Sequence, residues 1–192
     1  MNLKDINIKG SYTGKGTTIL NNFLIPALNS AVTYDRITGY FTIDSLLSIA
    51  NGVDSLRRKR GKMRLIVGVH SIPEDILEAT INIETLKNEI QTIQHEIEHD
   101  IKSLTEELEK QRIATIAWLI DSHLFTIKAA AVKGDGIFHP KTIIIKDSDN
   151  NEVAAVGSSN ETRNGLGGNF EQLMVATSWT NEEAVNDQKY FF

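Results

Sequence analysis

The chain contains no cysteine in its 192 residues. That excludes disulfides and thiolate metal sites. No apolar run is long enough to cross a bilayer. The opening stretch, MNLKDINIKG, lacks the apolar segment of a secretory signal. These absences point to a cytoplasmic protein that does not enter a membrane. Proline is scarce too, with three in all, so few elements are interrupted by it. What is present is enough apolar surface for a core. The hydrophobic content of 41% excludes a disordered chain. The length suits one domain spanning residues 1–192.

The net charge of −5 is unevenly spread. Residues 1–72 carry ten basic and four acidic side chains, and residues 73–112 carry four and eleven. The basic excess is densest in RRKRGKMR, residues 57–64. Such a cluster can track phosphates. It also sits where a helix should end, with Gly61 as cap and cations complementing the helix dipole. The second reading is preferred.

Local patterns give an alternation of helices and strands. Residues 17–30 read as a helix that Pro26 kinks or interrupts. Residues 36–41 read as a strand, residues 42–58 as a helix capped by Thr42 or Asp44, and residues 63–69 as a buried strand. Strand, helix, strand in that order predicts parallel pairing. Residues 74–120 differ. Ile83, Leu86, Ile90, Ile93, Ile97, Ile101, Leu104 and Leu108 step by three or four, which predicts an acidic, coiled-coil-like helical insertion. Within it HEIEH, residues 95–99, matches a zinc-protease spacing. His95 and His99 fall off the apolar seam and no third ligand accompanies them, so the match is rejected. His70 and His123 sit at element ends, where a lone histidine is structural or solvent-facing. Residues 124–132 read as a further strand. A last helix is expected from Thr180, its cap, to the terminal Phe pair. That abrupt stop suggests a piece of a longer protein, or a Phe pair that packs back onto the sheet.

The chemistry concentrates in residues 137–179. IFHPKTIIIK leads into an Ile-rich strand, residues 142–145. With side chains alternating faces, His139, Lys141, Ile143 and Ile145 share one side. The turn at residues 147–151 and the apolar run 153–156 complete a β-hairpin. Gly157-Ser158-Ser159-Asn160 then brings small residues and an amide to the same end. In the next strand, residues 170–178, Glu171 alternates with Leu173 and Val175, so a carboxylate lies on an aliphatic face and needs a partner. Histidine, lysine, asparagine and glutamate then converge at one pole of a sheet.

That set suits a phosphodiester. A neutral imidazole can attack phosphorus and form a covalent intermediate. A lysine and an amide can hold the non-bridging oxygens as charge develops. A carboxylate on the far ring nitrogen fixes the tautomer. Ser158 or Ser159 can add a hydroxyl donor to the substrate. The scheme calls for no metal and no cofactor.

His139-x-Lys141, then Gly157-Ser158-x-Asn160, then Glu171, resembles the phospholipase D superfamily, and most of all its nuclease branch with one motif per chain. That branch holds metal-independent restriction endonucleases and the N-terminal phospholipase D-like domains of bacterial helicase-like proteins. The aspartate usual five residues after the lysine would fall on Lys146, and Asp147 comes one position late. The departure speaks against a lipase-type member. It fits the restriction-enzyme-like branch, where a glutamate eleven residues after the asparagine takes the carboxylate role, as Glu171 does after Asn160. RITGYFTIDSL and MRLIVGV extend the likeness more weakly.

The resemblance implies an α/β fold with a mixed, mainly parallel sheet flanked by helices, and catalysis by His139, Lys141, Asn160 and Glu171. It implies a nuclease acting on nucleic acid, DNA in preference to RNA, with a role in restriction or phage defence. A helicase domain in the same or a partner chain belongs to the same implication. One histidine cannot both attack phosphorus and protonate the departing oxygen opposite. A homodimer with one shared active site is therefore expected. The alternative is a catalytically silent nucleic-acid-binding or assembly domain of a larger helicase-containing protein.

Overall fold

A computed structural model describes residues 1–41, 43–68, 124–132 and 135–192. The helical insertion at 74–120, its HEIEH motif, His70 and His123 lie outside the described residues.

Among the described residues, seven strands form one sheet: β1 (Ser11–Lys15), β2 (Thr33–Thr38), β3 (Lys62–Gly68), β4 (Phe125–Ala130), β5 (Thr142–Lys146), β6 (Glu152–Gly157) and β7 (Phe170–Thr177). Their order is β1-β7-β6-β5-β2-β3-β4. The described helices are α1 (Gly16–Ile19), α2 (Ile25–Ser30), α3 (Ile43–Ser48), α4 (Ala50–Arg58) and α5 (Glu182–Asp187). None of them is long and apolar enough to cross a membrane.

The sheet is mixed, as expected, but not mainly parallel. Of the pairings among these seven strands, only β2 with β3 and β3 with β4 run parallel. The other four pairings, β1–β7, β7–β6, β6–β5 and β5–β2, are antiparallel. The β5–β6 hairpin follows from its short turn, which favours antiparallel neighbours. The strand read at residues 36–41 runs from Thr33 to Thr38. Gly39 and Tyr40 beyond it belong to a loop.

The two sheet faces are unequal. Tyr34, Met63, Leu65, Ile143, Ile145, Val153, Ala155 and Leu173 point into the large core under α1 to α4, where Phe23, Leu28, Ile49, Val53 and Leu56 close it. On the other face, Ile144 and Ala154 meet Val185 of α5 and the half-buried Phe192. The central strand β5 is covered on both sides, which explains its unbroken Ile run. The last helix is capped by Asn181, whose side chain accepts from the Ala184 N–H, and not by Thr180. Thr180 instead bonds the Thr177 hydroxyl at 2.7 Å.

Pro26 does not end its helix. The turn before it, Leu20–Leu24, is wound as a π-helix, with the Ile25 N–H reaching the Leu20 carbonyl. A proline offers no donor and crowds the preceding turn, and a widened turn accommodates both.

Candidate active site at the strand ends

Register alone assembles the site. β2 pairs antiparallel with β5, with Ile37 opposite Thr142. The residues leaving β2 therefore lie beside those entering β5. β5 pairs with β6 with Thr142 opposite Val156, and β6 with β7 with Gly157 opposite Leu173. The exits of β2 and β6 and the entries of β5 and β7 share one pole, at the C-terminal ends of the parallel strands, where open α/β sheets commonly hold ligands.

His139 is solvent-exposed there, and Lys141 is 8% exposed. The Lys141 ammonium stands 3.0 Å from His139 Nδ1 and 3.1 Å from Nε2, and donates to the His139 carbonyl at 2.9 Å. An ammonium only donates, so the ring nitrogen it bonds must present a lone pair. Burial pushes the Lys141 amine below the usual lysine range. The Arg36 guanidinium adds to this and the Glu171 carboxylate opposes it.

The imidazole rests on backbone. A Cβ added at Gly39 would lie 2.3 Å from His139 Cδ2, so only glycine leaves room for the ring. Tyr40 stands edge-on to the imidazole, ring centres 5.5 Å apart. Its N–H donates to Asn160 Oδ1 at 3.3 Å, and the Thr38 hydroxyl approaches the same oxygen at 3.3 Å. Asn160 is thus fixed through its oxygen by the loop that carries Tyr40.

The Gly157–Asn160 turn is held from below. Gly157 crosses so close to β7 that a Cβ would meet the Gln172 carbonyl at 1.9 Å. Arg36, fully buried in β2, donates to the Ser159 carbonyl and lies 2.9 Å from Glu161 Oε2. That contact is an ion pair out of line with the N–H, because Arg36 Nε has no hydrogen-bond partner. The Tyr34 hydroxyl donates to the same carboxylate oxygen at 3.2 Å. Burial raises the Glu161 carboxyl above its ordinary range, against the pull of Arg36 and Tyr34. Arg36 Nη1 and Glu161 Oε1 have no hydrogen-bond partner.

The structure brings His139 and Lys141 into contact and ties Asn160 to their neighbour Tyr40. The expected contact between Glu171 and His139 is not formed. Glu171, 6% exposed, accepts instead from the Ser158 hydroxyl and acts on Lys141 through its charge. Both alternatives for a carboxylate on an aliphatic face satisfy the same need for a partner, and the nearer hydroxyl takes it. The two serines part company. Ser158 is exposed beside Glu171, whereas Ser159 is 3% exposed and donates to the Gly165 carbonyl at 3.1 Å. Sequence reasoning passed over Thr38, Gly39, Tyr40, Arg36 and Glu161. A signal was available in RITGY: an arginine inside an apolar strand, then glycine and an aromatic at its exit.

The basic run lies at the opposite pole, where α4 hands over to β3. Arg57 and Arg58 both pair with Asp54, and Arg64 pairs with Asp35. The Lys59 ammonium reaches the Ala31 carbonyl at 3.4 Å. These contacts match the helix-end reading, but the cap is Lys59 and the left-handed residue after it is Arg60 (φ 54°), not Gly61.

A family profile described as cardiolipin synthase, PLD-like domain, matches residues 24–191. No curated protein matches the sequence. Among solved structures, NucT from Helicobacter pylori is similar at TM-score 0.50 and 16% identity, over 94% of this chain and 90% of that one. The phosphatidylserine synthase of Haemophilus influenzae Rd KW20 is similar at TM-score 0.51 and 13% identity, over 94% of this chain. The chain spans 38% of the synthase's length. At such identities the likeness concerns the fold.

Proposed function

Because the chain belongs to the PLD-like family, we propose that it is a phosphodiesterase cleaving DNA or RNA through a phosphohistidine at His139, without a metal. The observation that carries this reading is the Lys141 ammonium held 3.0 Å from the imidazole at the open pole of the sheet. A nucleophile and a fixed cation within reach of one phosphate are what attack on a diester needs.

In the proposed reaction the lone pair of a neutral His139 nitrogen forms a bond to phosphorus. The bond to the leaving oxygen breaks, and that oxygen takes a proton from an acid on the opposite side. Lys141 and the Asn160 amide stabilise the non-bridging oxygens. Water then attacks the phosphohistidine, losing its proton to the same acid, now a base, and His139 is released. Glu171 acts through Ser158 and through Lys141. With one His-x-Lys motif in the chain, the acid is assigned to His139 of a second copy across a two-fold axis. Phe170 and Met174, 75% and 61% exposed on β7, offer apolar surface for that contact. DNA is the preferred substrate, in a restriction or phage-defence setting in the cytoplasm, with a helicase domain in the same or a partner chain.

Cleavage of bis(p-nitrophenyl) phosphate and of oligonucleotides in EDTA tests the chemistry, and acid-quench trapping of a phosphorylated chain tests the intermediate. Loss of activity in chelator with rescue by magnesium would sink the metal-free scheme. Light scattering at micromolar concentration tests the dimer, which a fully active monomer overturns. The competing reading, a silent nucleic-acid-binding domain, requires oligonucleotide binding with no turnover.

A further inference from the structure

The proposed chemistry leaves one prominent side chain unused. Tyr40 is 48% exposed although its ring stands 5.5 Å from the nucleophile's. Its backbone is pinned on both sides: the Thr38 hydroxyl donates to the Tyr40 carbonyl at 2.7 Å, and the Tyr40 N–H reaches Asn160. The ring is therefore presented at a set place over the site by the same bonds that fix the phosphate-binding amide. Ile137, 57% exposed, flanks His139 from the preceding loop. An isolated exposed aromatic needs no explanation. One pinned beside a nucleophile, and continuous with it, calls for one.

The densest basic run does not lie at this pole. It lies at the far pole, where Arg57 and Arg58 pair with Asp54 and Arg64 with Asp35. The chain as a whole carries −5. A site of this kind can gain its hold on nucleic acid from stacking, because every base has a π-face whatever its sequence.

Resting on the phosphodiesterase reading above, we infer that Tyr40 stacks on a base flanking the scissile phosphate, and that the substrate is therefore single-stranded. A base in a duplex has both faces covered by its neighbours, so a ring beside the nucleophile can meet one only when it is unstacked. No base-specific group accompanies the ring in this account, so the selectivity is for strandedness and not for sequence.

The test compares wild type, Tyr40→Ala and Tyr40→Trp on four substrates: single-stranded oligo(dT), the same strand in a duplex, the strand with abasic nucleotides, and methyl p-nitrophenyl phosphate. Wild type should prefer the single strand and lose that preference on the abasic one. Tyr40→Ala should lower kcat/KM on the single strand on the order of 10- to 100-fold, mainly through KM. Its loss on the small diester should be much less, and Tyr40→Trp should restore the single-strand rate. Equal losses on both substrates would mean that the ring only seats His139, and the inference fails. It fails also if wild type cuts duplex as fast as single strand, or if Tyr40→Ala loses activity by dissociating a dimer in light scattering. Should wild type cleave none of the four, the phosphodiesterase reading falls. Fluorescence anisotropy with labelled oligo(dT) then decides the stacking separately: equal binding by wild type and Tyr40→Ala overturns it.

Discussion

The two poles of the sheet both gather charge, and they treat it in opposite ways. At the pole where α4 meets β3, Arg57, Arg58 and Arg64 are ion-paired. Asp54 takes two arginines, and Asp147 accepts from the N–H groups of Leu3, Asp149 and Asn151 and from the Asn151 amide. That pole closes turns and helix ends. At the His139 pole, Lys141 is nearly buried with its ammonium bonded to His139, and Arg36 and Glu161 keep unpartnered atoms in the core. Polar groups are normally satisfied when buried. Arg36 and Glu161 depart from that beneath the candidate site, whereas the ion pairs of the far pole are partly exposed.

His139→Ala should break the comparison most completely. Turnover of a diester should fall on the order of 10³-fold or more, while circular dichroism and melting stay near wild type, because the ring is exposed. Lys141→Ala should cost about 10²- to 10³-fold in kcat, as loss of one oxyanion donor does. The lysine also sets a pH limit. Its folded pKa is lowered by burial and Arg36, so the ammonium is lost at lower pH than in an ordinary lysine. The alkaline limb of kcat should start below the usual lysine range. Glu171→Gln removes an opposing charge and should move that limb lower still. A limb unmoved by Glu171→Gln would dissociate the carboxylate from Lys141.

Gly39→Ala comes next. The new methyl cannot share space with His139 Cδ2. Displacing the ring by about 1 Å should cost on the order of 10²-fold in activity, with the melting temperature little changed. The buried pair separates stability from positioning. Arg36→Met or Glu161→Leu alone should destabilise the chain by about 3–5 kcal/mol, because each strands a buried charge. The double variant should recover most of that in a denaturant titration and yet stay slow, about tenfold below wild type in kcat by analogy with losing an orienting bond. Full activity in the double variant would reduce Arg36 and Glu161 to core filling. The smallest effect belongs to the far pole. Asp54→Ala should change stability by under about 1 kcal/mol, since its partners are partly exposed, and leave the diesterase rate as it is.

Much of the site pole was legible before any fold. Alternation put His139 and Lys141 on one side of the strand, and the turn residues at 147–151 and 157–160 marked where the chain returns. The hairpin, the β2–β3 parallel pair and the strand after the Gly-Ser turn follow from the same local patterns. The mainly parallel sheet did not follow, because pairing between β2 and β5 joins segments more than a hundred residues apart in the chain and no local pattern fixes its direction.

The sequence by itself determined which residues can do chemistry here, because side-chain type and period-two spacing are properties of a short stretch. It also set the apolar load that demands a two-faced sheet. Only the tertiary structure decided what surrounds them. The antiparallel β2–β5 register lays Gly39 under the imidazole and Tyr40 beside it. It also buries Arg36 against the residue that follows Asn160, while the β6–β7 register leaves Glu171 to Ser158 in place of His139. Most of these contacts join segments far apart in sequence, and their geometry exists only once the whole sheet has closed its register.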